Sequence, residues 1–456
     1  MKITKRLAVL GFALLLMSCS GQEKTVYQVP VEYHKLENGL RVVLSPDHTA
    51  PIVTVAVYYN IGFRIEPRDR TGFAHLFEHM MFQGSENLGK MEFIRLVQSN
   101  GGILNGSTRF DYTNYFEIVP SHKLETMLWA EADRMRSLAI TQENLTNQQG
   151  VVTNEVKVNV HNQPYGGFPW LDMPQIANEN WYNAHNFYGE LADIQAATLE
   201  DVQSFFDQYY APNNAAVVIV GDFEPADALN LVEQYFGDIE PSDPISFPDV
   251  SEPRQEQEKR ESKVDTLASR PALAVAYHMP KRLTPEYYAM GLLDQILLQG
   301  EDSQFYQTLV QENGYTGDIS GGINAYLGNM YNYNGPILWM MSLIHDAETP
   351  VDSIIAKIDA RIKAIQNGEI DQAMLDQALV KIRSSFYDIL GSYYGFGRAD
   401  LLASFALFDD HPDYINEIEG EFEQVTPERV QRTAQEYLRT GNRTILTIIA
   451  KDKPSL

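Results

Sequence analysis

Residues 72–82 read Gly72-Phe73-Ala74-His75-Leu76-Phe77-Glu78-His79-Met80-Met81-Phe82, and this stretch decides how the rest of the chain is read. The apolar residues on either side of the polar ones predict a buried helix. Positions four apart lie on one face of a helix, so His75 and His79 aim two imidazoles at one point. Glu78 sits beside that point without having to occupy it. Two neutral imidazoles suit zinc, and an adjacent carboxylate suits a base that takes a proton from water activated by the metal. The order His-x-x-Glu-His is the reverse of HExxH, and both orders occur in metalloproteases.

Five residues of this kind also arise by chance, so the reading turns on a third ligand. Glu155, in Val151-Val152-Thr153-Asn154-Glu155-Val156-Lys157, lies 76 residues after His79 (155 − 79). A lone glutamate in a helix is most often a solvated face residue, so the spacing alone does not choose it. The wider sequence does. His-x-x-Glu-His followed by this glutamate resembles the pitrilysin/insulinase family of zinc metallopeptidases, which includes the mitochondrial processing peptidase and small bacterial members. The resemblance runs from about Tyr33 to the C-terminus. It includes Leu36-Glu37-Asn38-Gly39-Leu40-Arg41, Gly101-Gly102-Ile103-Leu104-Asn105-Gly106 and Tyr209-Tyr210-Ala211-Pro212-Asn213-Asn214. It implies Zn2+ as cofactor, His75, His79 and Glu155 as its ligands, and Glu78 as the catalytic base.

The same resemblance makes Asn105, Gly106, Ser107 and Thr108 part of an active-site edge strand that binds substrate. An edge offers unpaired N–H and C=O groups to which an extended peptide can add itself. The glycines here are also what plain hairpin turns require. The second half departs from the family. Active members carry an Arg and a Tyr that reach substrate; here Gln304 stands in Ser303-Gln304-Phe305-Tyr306, and Gly317 in Gly314-Tyr315-Thr316-Gly317. Gln cannot offer the charged five-donor fork of Arg. Either Tyr315 compensates in a shifted register, or a related partner subunit supplies the pair in a hetero-oligomer. His122, His161 and His185 have no partner at metal spacing and read as loop or helix-end residues.

At 456 residues the chain exceeds one ordinary core. A hydrophobic fraction of 44% with 21% charged residues describes a globular protein. A net charge of −26 argues against a nucleic-acid partner, which needs a basic footprint. It serves solubility, and it also attracts basic peptides. Residues 1–18 read as a signal peptide: Lys2, Lys5 and Arg6 precede the short apolar run Leu7 to Met17. Leu16-Met17-Ser18-Cys19 resembles a bacterial lipoprotein signal, which implies lipidation at Cys19, the chain's single cysteine. The expected location is then the cell envelope, on the periplasmic side of the outer membrane, with the lipid as the membrane contact. Residues 19–32 read as a tether.

The expected division is a catalytic domain over 33–238, a Pro-rich linker over 239–261 and a related domain over 262–456. A repeat supports it. Thr198, Glu200, Val202, Tyr209 and Asn214 recur at Thr426, Glu428, Val430, Tyr437 and Asn442, each 228 residues on. Strands and helices mix without strict alternation in both halves, which predicts an α+β fold. The family resemblance makes the halves two homologous α/β sandwich-like domains. Further expectations are helices over Ser121 to Leu138, with Ser121 as N-cap, over about Glu143 to His161, and an amphipathic one over Thr284 to Leu298.

Overall fold

The computed structural model describes residues 27–451. Cys19 and the apolar run before it lie outside the described residues. Two mixed sheets organise the chain, as the α+β expectation required. The first contains β1 (Glu32–Lys35), β2 (Arg41–Pro46), β3 (Ile52–Tyr59), β4 (Ile103–Thr108), β5 (Thr113–Pro120) and β6 (Ala215–Gly221), in the order β1-β2-β6-β3-β5-β4. The second contains β7 (Lys259–Asp265), β8 (Ala272–His278), β9 (Ser320–Ile323), β10 (Leu338–Ile344) and β11 (Arg443–Ala450), in the order β7-β11-β8-β10-β9. β2 pairs parallel with β6, and β7 parallel with β11. β3, β5 and β4 pair antiparallel, as do β8, β10 and β9. The second sheet therefore repeats the first without β1.

The helices that matter below are α1 (Phe73–Met80), α2 (Leu124–Arg136), α3 (Gln142–Val156), α4 (Leu199–Tyr209), α5 (Pro285–Leu297), α6 (Gln372–Gly391), α7 (Phe396–Asp409) and α8 (Pro427–Tyr437). The 228-residue repeat is a repeat of local contacts. Thr198 accepts from the Asp201 amide to cap α4, and Thr426 accepts from the Arg429 amide to cap α8. Asn214 Nδ2 donates to the Tyr209 carbonyl at 2.9 Å, and Asn442 Nδ2 to the Tyr437 carbonyl at 2.7 Å. Each asparagine ties off a helix C-terminus just before a strand.

Alternation along β3 splits the first sheet between two cores. Val53, Val55, Val57 and Tyr59 join Phe73 and Phe77 of α1 and Leu128 of α2. Ala56 and Tyr58, with Val43, Val218 and Val220, face the other way, into the core that also holds Leu401, Leu402 and Phe405 of α7. A helix from the second half thus covers one face of the first sheet. Asp400 fixes it there: its Oδ1 accepts from the Tyr58 hydroxyl at 2.9 Å and the Tyr112 hydroxyl at 3.0 Å.

Several boundaries differ from expectation. β7 begins at Lys259, inside the stretch read as linker, because Lys259-Arg260-Glu261-Ser262-Lys263 is an exposed edge with no apolar pattern. Residues 240–256 carry neither helix nor strand. The stretch read as tether is docked at its end: Val29 is buried, its amide donates to Asn416 Oδ1 at 2.8 Å, and Asn416 Nδ2 returns a bond to its carbonyl at 3.0 Å. Ser121 does not cap a helix. Its hydroxyl donates to Asp222 at 3.1 Å, a 3-10 turn covers Ser121–Lys123, and α2 starts at Leu124. α5 is buried all round from Tyr287 to Leu297 rather than amphipathic. α3 stops at Val156 and passes into a π-helical turn, Lys157–His161.

Candidate metal centre

Helix α1 has no cap of its own. Gly72, at its N-cap, holds a left-handed backbone (φ 80), and a Cβ there would lie 2.4 Å from the Tyr188 carbonyl oxygen. The free amides at this end go to a carboxylate six residues upstream. Glu66 accepts from Gly72 N at 2.8 Å and from Ala74 N at 2.6 Å, and it is fully buried. Burial pushes the Glu66 carboxyl up, against the pull of His185, whose Nε2 lies 3.7 Å away. The helix that carries the histidines is thus anchored by a buried acid.

The i, i+4 spacing delivers what it promised. His75 Nε2 and His79 Nε2 lie 3.3 Å apart, and both meet Glu155 from α3. His75 Nε2 is 3.5 Å from Glu155 Oε1, and His79 Nε2 is 3.2 Å from Glu155 Oε2. One ligand atom from each of the three residues lies within 4.8 Å of the others. Burial, then the neighbouring His79, pushes the His75 imidazole down to about 4. It is therefore neutral at pH 7, the form that binds metal. Burial pushes Glu155 up, but the His79 bond, both imidazoles and the Tyr188 hydroxyl together hold it below the usual range. Two imidazole nitrogens and a carboxylate oxygen converge on one point. That donor set fits Zn2+ with an open fourth position.

Glu78 stands beside the three and is not one of them. Its Oε2 accepts from the Thr108 hydroxyl at 2.7 Å, and burial pushes its carboxyl up against that bond. Thr108 is the last residue of β4, the outermost strand of the first sheet. Its hydroxyl turns inward to the carboxylate, so its side chain holds Glu78. The neighbouring positions alternate. Asn105 and Ser107 lie on the opposite face; the Ser107 hydroxyl donates to Asn114 Oδ1 at 2.5 Å, and Asn105 Oδ1 accepts from the Gly106 amide at 3.0 Å. Gly106 packs against Tyr115, whose ring would lie 3.1 Å from a Cβ.

Two residues at the site escape sequence reasoning. The Tyr188 hydroxyl donates to Glu155 Oε1 at 3.2 Å, and the rings of Tyr188 and Phe187 each lie 5.1 Å from the His75 ring. Both stand in an aperiodic loop. Behind the site, Arg134 of α2 is buried among the rings of Phe82, Phe93 and Tyr115 and pairs with Glu131 and Glu117. Tyr115 passes this support on, its hydroxyl donating to the Phe77 carbonyl of α1 at 3.1 Å. In the second half Gly317 is exposed, and a Cβ there would meet nothing within 4 Å. Tyr315 packs against the large core.

Comparison with known proteins places this geometry. The family model described as Insulinase (Peptidase family M16) matches residues 41–166, which contain all four site residues. The model described as Peptidase M16 inactive domain matches residues 196–380. The zinc protease PqqE of Helicobacter pylori is 26% identical over 453 residues, covering 96% of this chain and 97% of that protein. A crystal structure of a protease from Helicobacter pylori superposes with a TM-score of 0.85 at 24% identity, over 92% of this chain and 100% of the other. The periplasmic protease PqqL of Escherichia coli superposes with a TM-score of 0.72 at 16% identity, over 93% of this chain but 48% of its own length. Both structures share the fold. With the insulinase match at residues 41–166 and the M16 inactive-domain match at residues 196–380, the chain belongs to the insulinase family, peptidase family M16.

Proposed function

We propose that the chain is a zinc-dependent endopeptidase subunit that hydrolyses peptides or unfolded segments in the cell envelope. The observation that carries this reading is the convergence of His75, His79 and Glu155 beside Glu78, with Glu78 held by the end of an open edge strand. Those three residues would hold the metal. Bound Zn2+ supplies Lewis acidity, which acidifies water and polarises a carbonyl. An extended peptide pairs its main chain with β4 along Asn105, Gly106 and Ser107, a recognition largely blind to sequence. Glu78, oriented by Thr108, takes a proton from water and returns it to the leaving amine. Such general acid–base work is worth roughly 10²–10⁴-fold. Its raised carboxyl suits both halves of that task.

Glu78→Gln is expected to keep zinc and lose hydrolysis, and His79→Ala to lose both, by metal analysis paired with peptide cleavage. Full hydrolysis by Glu78→Gln overturns the assignment.

The envelope location rests on the Cys19 signal and agrees with the periplasmic relative. Cys19→Ala should abolish acyl labelling and release the protein from the membrane. The second half, with Gln304 and Gly317 where active relatives carry Arg and Tyr, favours a site completed by a related subunit. The isolated chain should then be nearly inactive and regain turnover with that partner; equal rates alone and in the mixture refute the shared site. The same two positions support a second reading, a non-catalytic assembly subunit, which predicts no turnover in either assay.

A further inference from the structure

One end of the first sheet carries exposed tyrosines for which the reaction has no use. Tyr393 and Tyr394 form the turn between α6 and α7 and are 68% and 71% exposed. Both hold left-handed backbone, φ 44 and φ 53, which bulky side chains seldom adopt. The turn is fixed from beneath. The Thr54 hydroxyl donates to the Tyr394 carbonyl at 3.3 Å, Gly395 sits against Val220, and Phe396 stacks on Phe116 with ring centroids 3.8 Å apart. The turn therefore holds two aromatic rings out to solvent.

The described chain enters at the same end. Tyr27 is 51% exposed, and Arg398, in the first turn of α7, donates to its hydroxyl at 3.1 Å and to Asp47 at 2.9 Å. The Asp47 amide in turn bonds to the Gly221 carbonyl, at the end of β6 next to Val220. Tyr27 follows Cys19 by eight residues (27 − 19), a span of at most about 28 Å.

We propose that Tyr27, Tyr393 and Tyr394 form a phospholipid-interface contact that seats this end of the first sheet on the headgroup layer of the bilayer holding the acyl chain. The proposal rests on the reading of Cys19 as lipidated. Tyrosine suits the place, because its apolar body and polar tip are at home at headgroup depth. The chain is acidic overall, with a net charge of −26, and Arg398 beside the patch is already paired with Asp47, so the contact argued for is aromatic rather than basic. The consequence is an orientation. β3 runs from Ile52 at the tyrosine end to Tyr59 at the metal end, so the metal centre stands about 25 Å from the membrane.

The test uses the acylated full chain on vesicles of phosphatidylethanolamine and phosphatidylglycerol, with and without brominated acyl chains. Tyr394→Trp and Tyr27→Trp place indoles in the patch; Val158→Trp places one near Glu155, at a position already 52% exposed. The expected result is that bromine quenches the added emission of the first two and leaves the third unchanged. Acyl labelling and flotation are read separately. If the protein is labelled and floats but the patch indoles are not quenched, the contact is refuted while the anchor stands. If label and flotation are both absent, the anchor reading fails and the proposal with it. If the patch indoles shift to the blue only as the protein self-associates off vesicles, the rings serve a protein contact and the proposal is overturned.

Discussion

Tyr188→Phe removes one hydroxyl and leaves the ring that packs on His75. What is lost is the donor to Glu155 Oε1. A hydrogen bond to a charged group is worth roughly 1.5–3 kcal/mol net. At 3.2 Å this one is longer than a short O–H···O⁻ contact, and the carboxylate is partly open to solvent, so the lower end applies. About 1.4 kcal/mol is tenfold in affinity, at the bottom of the roughly 10–100-fold range for residues that orient metal ligands. We therefore expect Tyr188→Phe to bind zinc about tenfold more weakly, measured by competition with a chromogenic chelator at fixed pH. At saturating zinc, KM should stay near the parent value, because the ring and the edge strand are unchanged. The zinc-dependent gain in unfolding free energy should fall by about 1.4 kcal/mol at equal free metal. An affinity within twofold of the parent would refute the claim that Tyr188 orients Glu155.

Three further outcomes follow from the same geometry. Arg134→Met strands Glu117 and Glu131 in the core and should cost roughly 3–5 kcal/mol in urea unfolding; a loss under about 1 kcal/mol would show that the triad is not what braces β5. Gly72→Ala must hold φ 80 and push into the Tyr188 carbonyl, so it should lower both stability and zinc affinity, whereas Gly150→Ala, inside α3 with open space around it, should leave zinc affinity unchanged and raise stability by roughly 0.5–1 kcal/mol. Burial pushes Asp294 up to about 6 from an ordinary 3.8, against donors from Trp339 and Gln299. A raised acid favours the folded state at low pH, so this contribution is intact below about pH 4 and is lost as pH rises through about 6, roughly 3 kcal/mol in all. Asp294→Asn keeps the acceptor for Trp339, so it should gain on the parent between pH 4 and 7; parallel unfolding curves across that window would rule this out.

The part of the site that lies on one helix was legible, because α-helical geometry alone brings His75 and His79 together. Glu155 required the resemblance, since nothing local separates it from the other polar residues of α3. Glu66 and Tyr188 were invisible for a physical reason: they act from loops, where no period links position to direction. Thr108 was legible as an edge-strand residue but not as the partner of Glu78, because its inward turn depends on α1 packing beneath β4. The repeat was visible through Thr198, Thr426, Asn214 and Asn442, whose chemistry at helix ends is local and therefore survives divergence. The helix that covers the first sheet was not. The apolar pattern of α7 says that the helix is buried, and sequence carries no sign of which sheet it is buried against.

That covering helix sets an order of events during synthesis. The first sheet is complete in sequence once β6 ends at Gly221, but the helix that closes its second face begins at Phe396. Making residues 222–395 takes on the order of ten to thirty seconds at roughly 5–20 residues per second. Until α7 docks, Val43, Ala56, Tyr58, Val218 and Val220 are an uncovered apolar face on any first sheet that has already formed, the kind of surface a holdase chaperone binds.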